Sequence, residues 1–432
     1  MTDSNRPQLR RSLGFWALAI YGIGDILGAG IYALVGKVAG IAGSASWLSF
    51  AIALSVAALT AVTYAELGGR FPRSAGESFF AEQAFRNKGL ALVVGWVVLC
   101  SGVLSLATVS VAFGGYMTGL VPALPVPVTV VGILLLLTAI NFRGMRESSA
   151  TNIVATMIEL TGLLIVIVAG ALFLGQDEDS SIAQTIEAGR GTDWTSVARG
   201  SALAFFAFIG FEDMVNVAEE VKDPERNLPR GILTALVVTG FIYLLVVLVS
   251  TSVLPSTLLA DSEAPLLSVV QHSEARVPDR VFTLIALFAV ANTGLLNFIM
   301  GSRLLYGMSR QGLLPSWLGE VHEARRTPHW AILTVLAVAL ALALSGSLTY
   351  LAGSTSLLLL LVFFTLNLSL VTIKRRDGPP ERTFCAPPAV PVLGAVTCLG
   401  LMPFVPVASL LTAAVILALG LGLVWKRKRS SS

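Results

Sequence analysis

The chain has 432 residues, of which 55% are hydrophobic and 13% are charged, and its formal net charge is +3. Soluble domains carry about 25% charged residues, so a chain this apolar has too little polar surface to stay in solution. It is predicted to be a polytopic membrane protein. Its three cysteines, Cys100, Cys385 and Cys398, lack the spacing of a disulfide framework or a metal site.

Apolar runs of roughly the length that crosses a bilayer, about 20 residues, recur twelve times along the chain. The predicted spans are Leu13–Val38, Ser44–Leu67, Leu90–Leu120, Val126–Asn141, Ser148–Leu174, Ser196–Glu219, Leu228–Leu254, Arg280–Leu305, Trp330–Leu344, Ser354–Ile373, Val390–Phe404 and Val407–Trp425. Only short polar segments separate them, so no soluble domain is attached. The sequence predicts an all-α fold of 12 transmembrane helices in a single domain over residues 1–432.

The basic residues fall mostly on one side of this arrangement. When successive loops are assigned alternately to the two sides, 24 of the 29 lysines and arginines lie on the side of the termini. Cytoplasmic loops carry an excess of lysine and arginine. Both termini are therefore predicted to be cytoplasmic, in a multi-pass protein of the cytoplasmic (inner) membrane.

The first predicted span is poorly suited to be a plain membrane anchor. Its middle reads Gly22-Ile23-Gly24-Asp25-Ile26-Leu27-Gly28-Ala29-Gly30. Each glycine costs a helix interior ~0.5–1 kcal/mol relative to alanine, and a charge at the bilayer centre costs at least ~2.5 kcal/mol. Unwound backbone is tolerated in a membrane only where it is buried in protein or lines a wet cavity. The composition therefore predicts an unwound segment that meets a ligand.

Unwinding at Gly28-Ala29-Gly30 would expose backbone N–H groups at the start of a half-helix beginning near Ile31. Such a helix start carries a partial positive charge and suits a carboxylate. The alternative is that these glycines serve only close packing between helices.

The sixth predicted span has a comparable break at Ile209-Gly210-Phe211. The half-helix that ends there leaves free carbonyl groups, which suit an ammonium group. Two broken helices at corresponding positions indicate a transporter built on an inverted repeat. The predicted halves are residues 13–174 and 196–373, with five helices each, and residues 390–425 add helices eleven and twelve.

Three stretches, in chain order, resemble the signatures of one family. They are Gly22-Ile23-Gly24 through Gly28-Ala29-Gly30-Ile31-Tyr32; Phe205-Phe206-Ala207-Phe208-Ile209-Gly210-Phe211-Glu212 with Glu219-Glu220-Val221-Lys222-Asp223-Pro224 and Asn227-Leu228-Pro229; and Ser302-Arg303-Leu304-Leu305-Tyr306-Gly307-Met308 with Gly312-Leu313-Leu314-Pro315. Over essentially its whole length the chain is similar to the amino acid–polyamine–organocation (APC) permeases. The resemblance implies secondary transport of amino acids by alternating access, not enzyme activity, and does not identify the substrate.

The resemblance also implies where substrate binds. The expected substrate-binding residues are Ile26, Gly28, Ala29, Gly30, Phe206, Ile209, Gly210 and Glu212. The match of Phe206 in relatives gates the site from outside; the alternative is that the phenylalanines around it are lipid-facing bulk. For Glu212 and the neighbouring Asp213, the alternative is a role as N-terminal caps of the second half-helix.

An ion-coupling site is predicted at Asp25, Glu159 and Thr293. At 1.5 Å per residue, both acids lie ~16–18 Å from the cytoplasmic ends of their spans, near mid-membrane. Asp25 replaces the usual small or hydroxyl residue of the family motif, and Glu159 stands where several relatives carry a lysine. A low dielectric favours the neutral form of a carboxyl group, so Glu159 is predicted to carry a proton, with Asp25 as its partner. Two alternatives stay open: Glu159 is permanently protonated and only bridges helices, or sodium binds with the hydroxyl of Thr293.

Other functions find little support in the sequence. No P-loop pattern GxxxxGK[ST] occurs, which argues against a primary pump. We expect no cofactor, no metal and no nucleic acid partner, and we expect the bilayer, an amino acid and a coupling ion as partners. The nearest alternative is a polyamine or cationic amino acid permease. The four acids within the predicted spans, Asp25, Glu159, Glu212 and Asp213, would neutralise a dication. A channel or a receptor is disfavoured, since no continuous polar stripes and no recognition domain are visible.

Overall fold

The computed structural model describes residues 11, 13–72, 76–143, 149–176, 182–273, 276–323, 325 and 327–430. The α-helices are α1 (Phe15–Leu27), α2 (Ala29–Ala42), α3 (Ser46–Arg70), α4 (Gly76–Phe85), α5 (Lys88–Leu120), α6 (Val126–Arg143), α7 (Ser149–Leu174), α8 (Ile182–Arg190), α9 (Trp194–Ala204), α10 (Pro224–Val253), α11 (Ser256–Asp261), α12 (Pro265–His272), α13 (Asp279–Arg310), α14 (His329–Ser345), α15 (Leu348–Asp377), α16 (Ala389–Leu401) and α17 (Val407–Ser430). The 3-10 helices are Gly43–Ala45, Phe205–Phe208, Phe211–Glu220, Ser316–Gly319 and Met402–Phe404. The predicted all-α class is confirmed.

Nine helical segments of the described chain are long and apolar enough, by length and composition, to cross a membrane. One of them, Phe15–Arg70, contains three α-helices, and two further apolar helices, His329–Ser345 and Ala389–Phe404, are shorter. These segments make the protein a polytopic membrane protein. The count of twelve spans stays a prediction.

Several helices begin where the local chemistry favours a start. The side chain of Asn87 accepts hydrogen bonds from the amides of Gly89 and Leu90, at 2.9 and 3.2 Å, and so caps α5. Ser347 caps α15 in the same way. Pro224 occupies the start of α10, where its missing N–H is no loss.

Four short helices, α4, α8, α11 and α12, lie where the sequence predicted only polar connections. Helices of this length are marginal by themselves and depend on tertiary packing. The helix α4, for example, buries one face between α5 and α15. The sequences of these four short helices were therefore not enough to predict them.

Helices at corresponding positions of the two predicted halves pack on each other: α3 on α10, α5 on α13, and α6 on α14. The first broken helix packs through α1 on α10 and α7, and the sixth packs through α9 on α3 and α15. If the two halves are exchanged, the contacts of the first span become those of the sixth, and the pairs α3–α10, α5–α13 and α6–α14 are unchanged. On this basis we propose that residues 13–174 and 196–373 form the inverted repeat, with α16 and α17 outside it.

Candidate functional site

The first span is interrupted at Gly28, as the sequence predicted. The helix α1 ends at Leu27 and α2 begins at Ala29, while Gly28 has φ −50° and ψ −155°. The interruption is shorter than predicted, because the second half-helix starts at Ala29 and not near Ile31. The first turn of α2 therefore lies directly at the break.

The sixth span is interrupted at Ile209 and Gly210, also as predicted. Ile209 is extended, and Gly210 has φ +131°, in the region that favours glycine. The segment that follows, Phe211–Glu220, is a 3-10 helix of 10 residues, where the sequence predicted an ordinary half-helix. Such long 3-10 stretches are uncommon and often mark a hinge.

The two breaks touch backbone to backbone. A Cβ atom added to Gly210 would lie 2.7 Å from the carbonyl oxygen of Asp25 and 3.0 Å from the amide nitrogen of Ile26. A Cβ atom added to Gly30 would lie 2.5 Å from the Cα of Ala207. These glycines therefore allow close packing between helices, the role that the sequence left open. This packing places the start of α2 beside the end of the 3-10 helix Phe205–Phe208.

The two broken helices also join at their far ends. The amide of Leu13, just before α1, donates to the carbonyl of Glu220 at 3.0 Å, and the amide of Lys222 donates to the carbonyl of Leu13 at 2.8 Å. This short parallel bridge links the start of the first span to the end of the sixth.

Thr293 of α13 lies at the first break. The amide of Ala29 donates to its hydroxyl oxygen at 3.0 Å, and that hydroxyl donates to the carbonyl of Ala289 at 3.2 Å. Gly28 leaves the room for this contact, since a Cβ there would collide with the same hydroxyl. On the other side of the break, the hydroxyl of Tyr243 donates to the carbonyl of Ile26 at 2.5 Å.

Glu212 folds back onto the sixth-span break. Its carboxyl oxygen accepts the amide of Gly210 at 2.8 Å, and its side chain is buried. The residue thus has the capping role that the sequence left open, of the kind that capping-box glutamates perform. Asp213 beside it accepts a hydrogen bond from the side chain of Asn216 at 3.2 Å.

Glu159 of α7 is fully buried and lies against α13. Its Oε1 accepts a hydrogen bond from the side chain of Asn292 at 3.0 Å, and its Oε2 has no hydrogen-bond partner in the described part of the chain. The side chain of Asn292 is therefore a hydrogen-bond partner of Glu159, and the proton-carrying partnership of Glu159 with Asp25 stays a prediction. Asp25 is half-buried at the end of α1, which packs on α7. The pairing depends on how each helix is rotated, which composition does not encode.

Two buried tyrosines, which the sequence did not single out, tie this region together. The hydroxyl of Tyr32 in α2 donates to the backbone carbonyl of Glu159 at 2.9 Å. The hydroxyl of Tyr116 in α5 donates to the carbonyl of Tyr32 at 3.0 Å. Buried polar groups are held in this way because an unpaired one is costly. The helices α2, α5, α7 and α13 thus meet around the first break.

The phenylalanines of the sixth span face the protein interior. Phe205, Phe206, Phe208 and Phe211 are all at most 5% exposed, so the lipid-facing alternative is wrong. Phe205 and Phe211 both pack on the ring of Phe363, and Phe208 packs on an aromatic ring of α10. Among the described residues, Phe206 alone of these four makes no aromatic contact. Of the four rings, that of Phe206 is therefore the best candidate to contact a substrate.

Replacing Phe206 by alanine is expected to weaken substrate binding in addition to lowering stability. If the ring covers bound substrate, its loss removes ~1.5–3 kcal/mol of apolar burial, which raises KM by about ten- to hundredfold. The matched control is Phe205→Ala, which opens a cavity in the aromatic core and should chiefly lower the Tm. Transport kinetics and thermal unfolding of both variants check this. An unchanged KM in Phe206→Ala would remove this ring from the substrate site.

Two further buried acids lie near the predicted cytoplasmic ends of the spans. Glu66 of α3 forms ion pairs with Arg70 and, at 2.7 Å, with Lys374 of α15. Glu77 of α4 accepts a hydrogen bond from the hydroxyl of Tyr64 at 3.1 Å, and burial raises the pKa of Glu77 against the opposing effect of that bond. Both groups join helices near the predicted cytoplasmic side.

Comparison with known proteins agrees with this architecture. The family model described as amino acid permease matches residues 13–430. The chain is 27% identical over 421 residues to the branched-chain amino acid permease BcaP of Bacillus subtilis, covering 92% of this chain and 89% of that protein. It is 28% identical to the methylthioribose transporter of Bacillus subtilis, covering 97% and 93%. It is 31% identical over 342 residues to the chloroplastic cationic amino acid transporter 9 of Arabidopsis thaliana, covering 74% and 59%. The chain belongs to the amino acid permease family, within the APC superfamily that its motifs resemble.

Proposed function

We propose that this protein is a secondary active transporter that moves amino acids across the cytoplasmic membrane by alternating access, coupled to protons. The observation that carries the proposal is the direct contact between the two helix breaks. One break supplies the N-terminal end of α2 and the other supplies the C-terminal end of a 3-10 helix, so ends of opposite partial charge lie side by side.

This arrangement suits a zwitterion. The first amide of α2, that of Ala29, is taken by Thr293, which leaves the amides of Gly30 and Ile31 in the first turn for a carboxylate. Gly30 lies against Ala207, so the carbonyl groups ending the 3-10 helix are close by for an ammonium group. The carboxylate and the amine of an α-amino acid are joined to the same carbon atom, so they too lie close together, as the two helix ends do. Ile26, Phe206 and Ile209 are proposed to contact its side chain, and Glu212 to shape the break.

Glu159 is the proposed proton carrier. Among the described residues it forms no ion pair, and an ionised carboxylate without a cation is costly inside a membrane. The hydrogen bond from Asn292 steadies the carboxyl group without supplying a charge. The titratable groups that accompany it are the hydroxyls of Tyr32 and Tyr243, which interact with it electrostatically, and Asp25 on the adjacent α1. A proton taken up here sits between α7 and α13, next to the break that holds substrate.

Sodium coupling is the second candidate, because the hydroxyl of Thr293 lies at the first break. That hydroxyl already accepts one hydrogen bond and donates another, which leaves it less free to bind a cation. We therefore favour the proton. The lysine and arginine distribution of the sequence supports cytoplasmic termini in the inner membrane.

Uptake into proteoliposomes tests the proposal. Because named relatives carry branched-chain or cationic amino acids, the panel includes labelled leucine and lysine, with putrescine as a competitor. We expect a pH gradient to drive accumulation of at least one amino acid without sodium, and putrescine to compete poorly, since bare amides offer nothing to a substrate without a carboxylate. Putrescine displacing every amino acid would reverse the substrate assignment, and strict sodium dependence would reverse the ion assignment.

A further inference from the structure

A cavity of about 430 Å³ lies away from the breaks, between α6 and α14. Its walls are apolar along most of their length, with Leu135 and Ala139 from α6 and Ile332 and Leu333 from α14. Two of the protein's three histidines, His322 and His329, line its remaining part. The cavity therefore has an apolar body and one polar end.

The polar end is formed by the side chains of the two histidines. The rings of His322 and His329 lie 5.8 Å apart and nearly perpendicular. The Nδ1 of His322 accepts the amide of Arg325 at 3.3 Å. The Nδ1 of His329 is buried and has no hydrogen-bond partner within the described residues. A buried polar nitrogen of this kind costs free energy unless something pairs with it, so a ligand at this end would gain by supplying the partner.

The same end attracts negative charge. His329 is the first residue of the 17-residue helix α14, and the start of a helix carries partial positive charge and free amides. Arg143, the last residue of α6, and Arg325 are both exposed at this end. Neither these arginines nor Glu320 and Glu323 of the same loop line the cavity, so the polar groups at this end are the two histidines and the start of α14. The donors at the cavity end therefore favour an anion.

The apolar body faces the bilayer. Leu135 and Leu333 are 52% and 46% exposed on the outside of their helices. Trp317 and Trp330 lie edge to face at 5.9 Å and are also exposed. Exposed tryptophans are enriched at the membrane–water interface, so the polar end lies at headgroup level. An occupant must combine an acyl chain with an anionic group.

We propose that this cavity binds one acidic phospholipid. Its phosphate group accepts hydrogen bonds from the histidine end and the first turn of α14, and one acyl chain lies along Leu135, Ala139 and Leu333. Basic pockets between helices on the cytoplasmic side are a known form of lipid site, and α6 ends and α14 begins on the predicted cytoplasmic side. Because none of the residues that line the cavity lies at the helix breaks, the proposal does not depend on which substrate is carried.

Native mass spectrometry of the full-length protein tests it, with phosphatidylglycerol and phosphatidylcholine added at equal concentration. Both lipids carry the phosphate group, but choline adds a positive charge beside the start of α14. We therefore expect wild type to retain one phosphatidylglycerol at least about fivefold more often than one phosphatidylcholine. His329→Ala should abolish this preference by removing headgroup donors. His272→Ala is the matched control, because the third histidine packs on Phe173 outside the cavity, and it should keep the preference.

Ala139→Phe provides an independent test, since it fills the apolar body and leaves the headgroup donors in place. It should lose the retained lipid while transport of amino acids continues. Equal retention of the two lipids by wild type would overturn the proposal. So would an undiminished preference in either His329→Ala or Ala139→Phe. Displacement of the lipid by millimolar glycerol phosphate would show that the chain is not held, and would also overturn it.

Discussion

Glu159→Gln is expected to abolish accumulation of substrate against a pH gradient while leaving exchange of substrate across the membrane. Glutamine has nearly the same shape, and its oxygen still accepts the hydrogen bond from Asn292, so the contact between α7 and α13 survives. The substitution removes only the ability of this side chain to bind and release a proton. We expect the accumulation ratio driven by an inward proton gradient to fall at least about tenfold, to the level reached without a gradient.

The control for this variant is Glu187→Gln, because Glu187 is exposed and pairs with Arg190 at the surface of α8. It should leave the pH response of uptake unchanged. The substitution also separates the two roles that the sequence left open for Glu159. If the residue is permanently protonated and only bridges helices, Glu159→Gln will show the wild-type response to external pH, and the proton-carrier role fails.

Gly210→Ala is expected to reduce transport more than tenfold at equal amounts of folded protein. The residue has φ +131°, where an alanine is strained by ~1–3 kcal/mol. The added Cβ would also press on the backbone of Asp25 and Ile26. These contacts hold the two breaks together, so the variant should displace the ends that form the proposed substrate site.

Gly312→Ala is the matched control for Gly210→Ala. Gly312 also has a positive φ, +74°, but a Cβ there meets nothing within 4 Å. Both variants should lose stability from a positive φ, Gly210→Ala the more, and only Gly210→Ala should lose transport. Initial rates of uptake, normalised to monodisperse protein, make the comparison. Equal rates in the two variants would mean that contact between the breaks is not needed for function.

The sequence was sufficient to locate the breaks because glycines and a carboxylate in mid-span are costly unless the helix is interrupted. The same reasoning did not find Asn292 or Tyr32, whose hydrogen bonds hold Glu159 in place. A polar residue within a long apolar helix predicts that some partner exists, but the partner is chosen by helix rotation and packing. For that reason the sequence did not identify Asn292 as a hydrogen-bond partner of Glu159.

The sequence also did not predict which type of helix follows the second break. The segment Phe211–Glu220 has the composition of an ordinary helical half-span, and the structure shows it as a 3-10 helix. The cavity between α6 and α14 was likewise not predicted. It depends on Leu135 and Leu333, which are distant in sequence and meet only in the folded chain.

Competition by matched analogues tests the zwitterion site most directly. For the amino acid that is transported best, uptake is measured in the presence of the unlabelled amino acid, the amine that lacks its carboxylate, and the acid that lacks its α-amine. A hydrogen bond to a charged group contributes ~1.5–3 kcal/mol, so each analogue should compete at least about tenfold less well than the amino acid. If the amine or the acid competes as well as the amino acid itself, the two helix breaks do not hold a zwitterion, and the account given for this site is wrong.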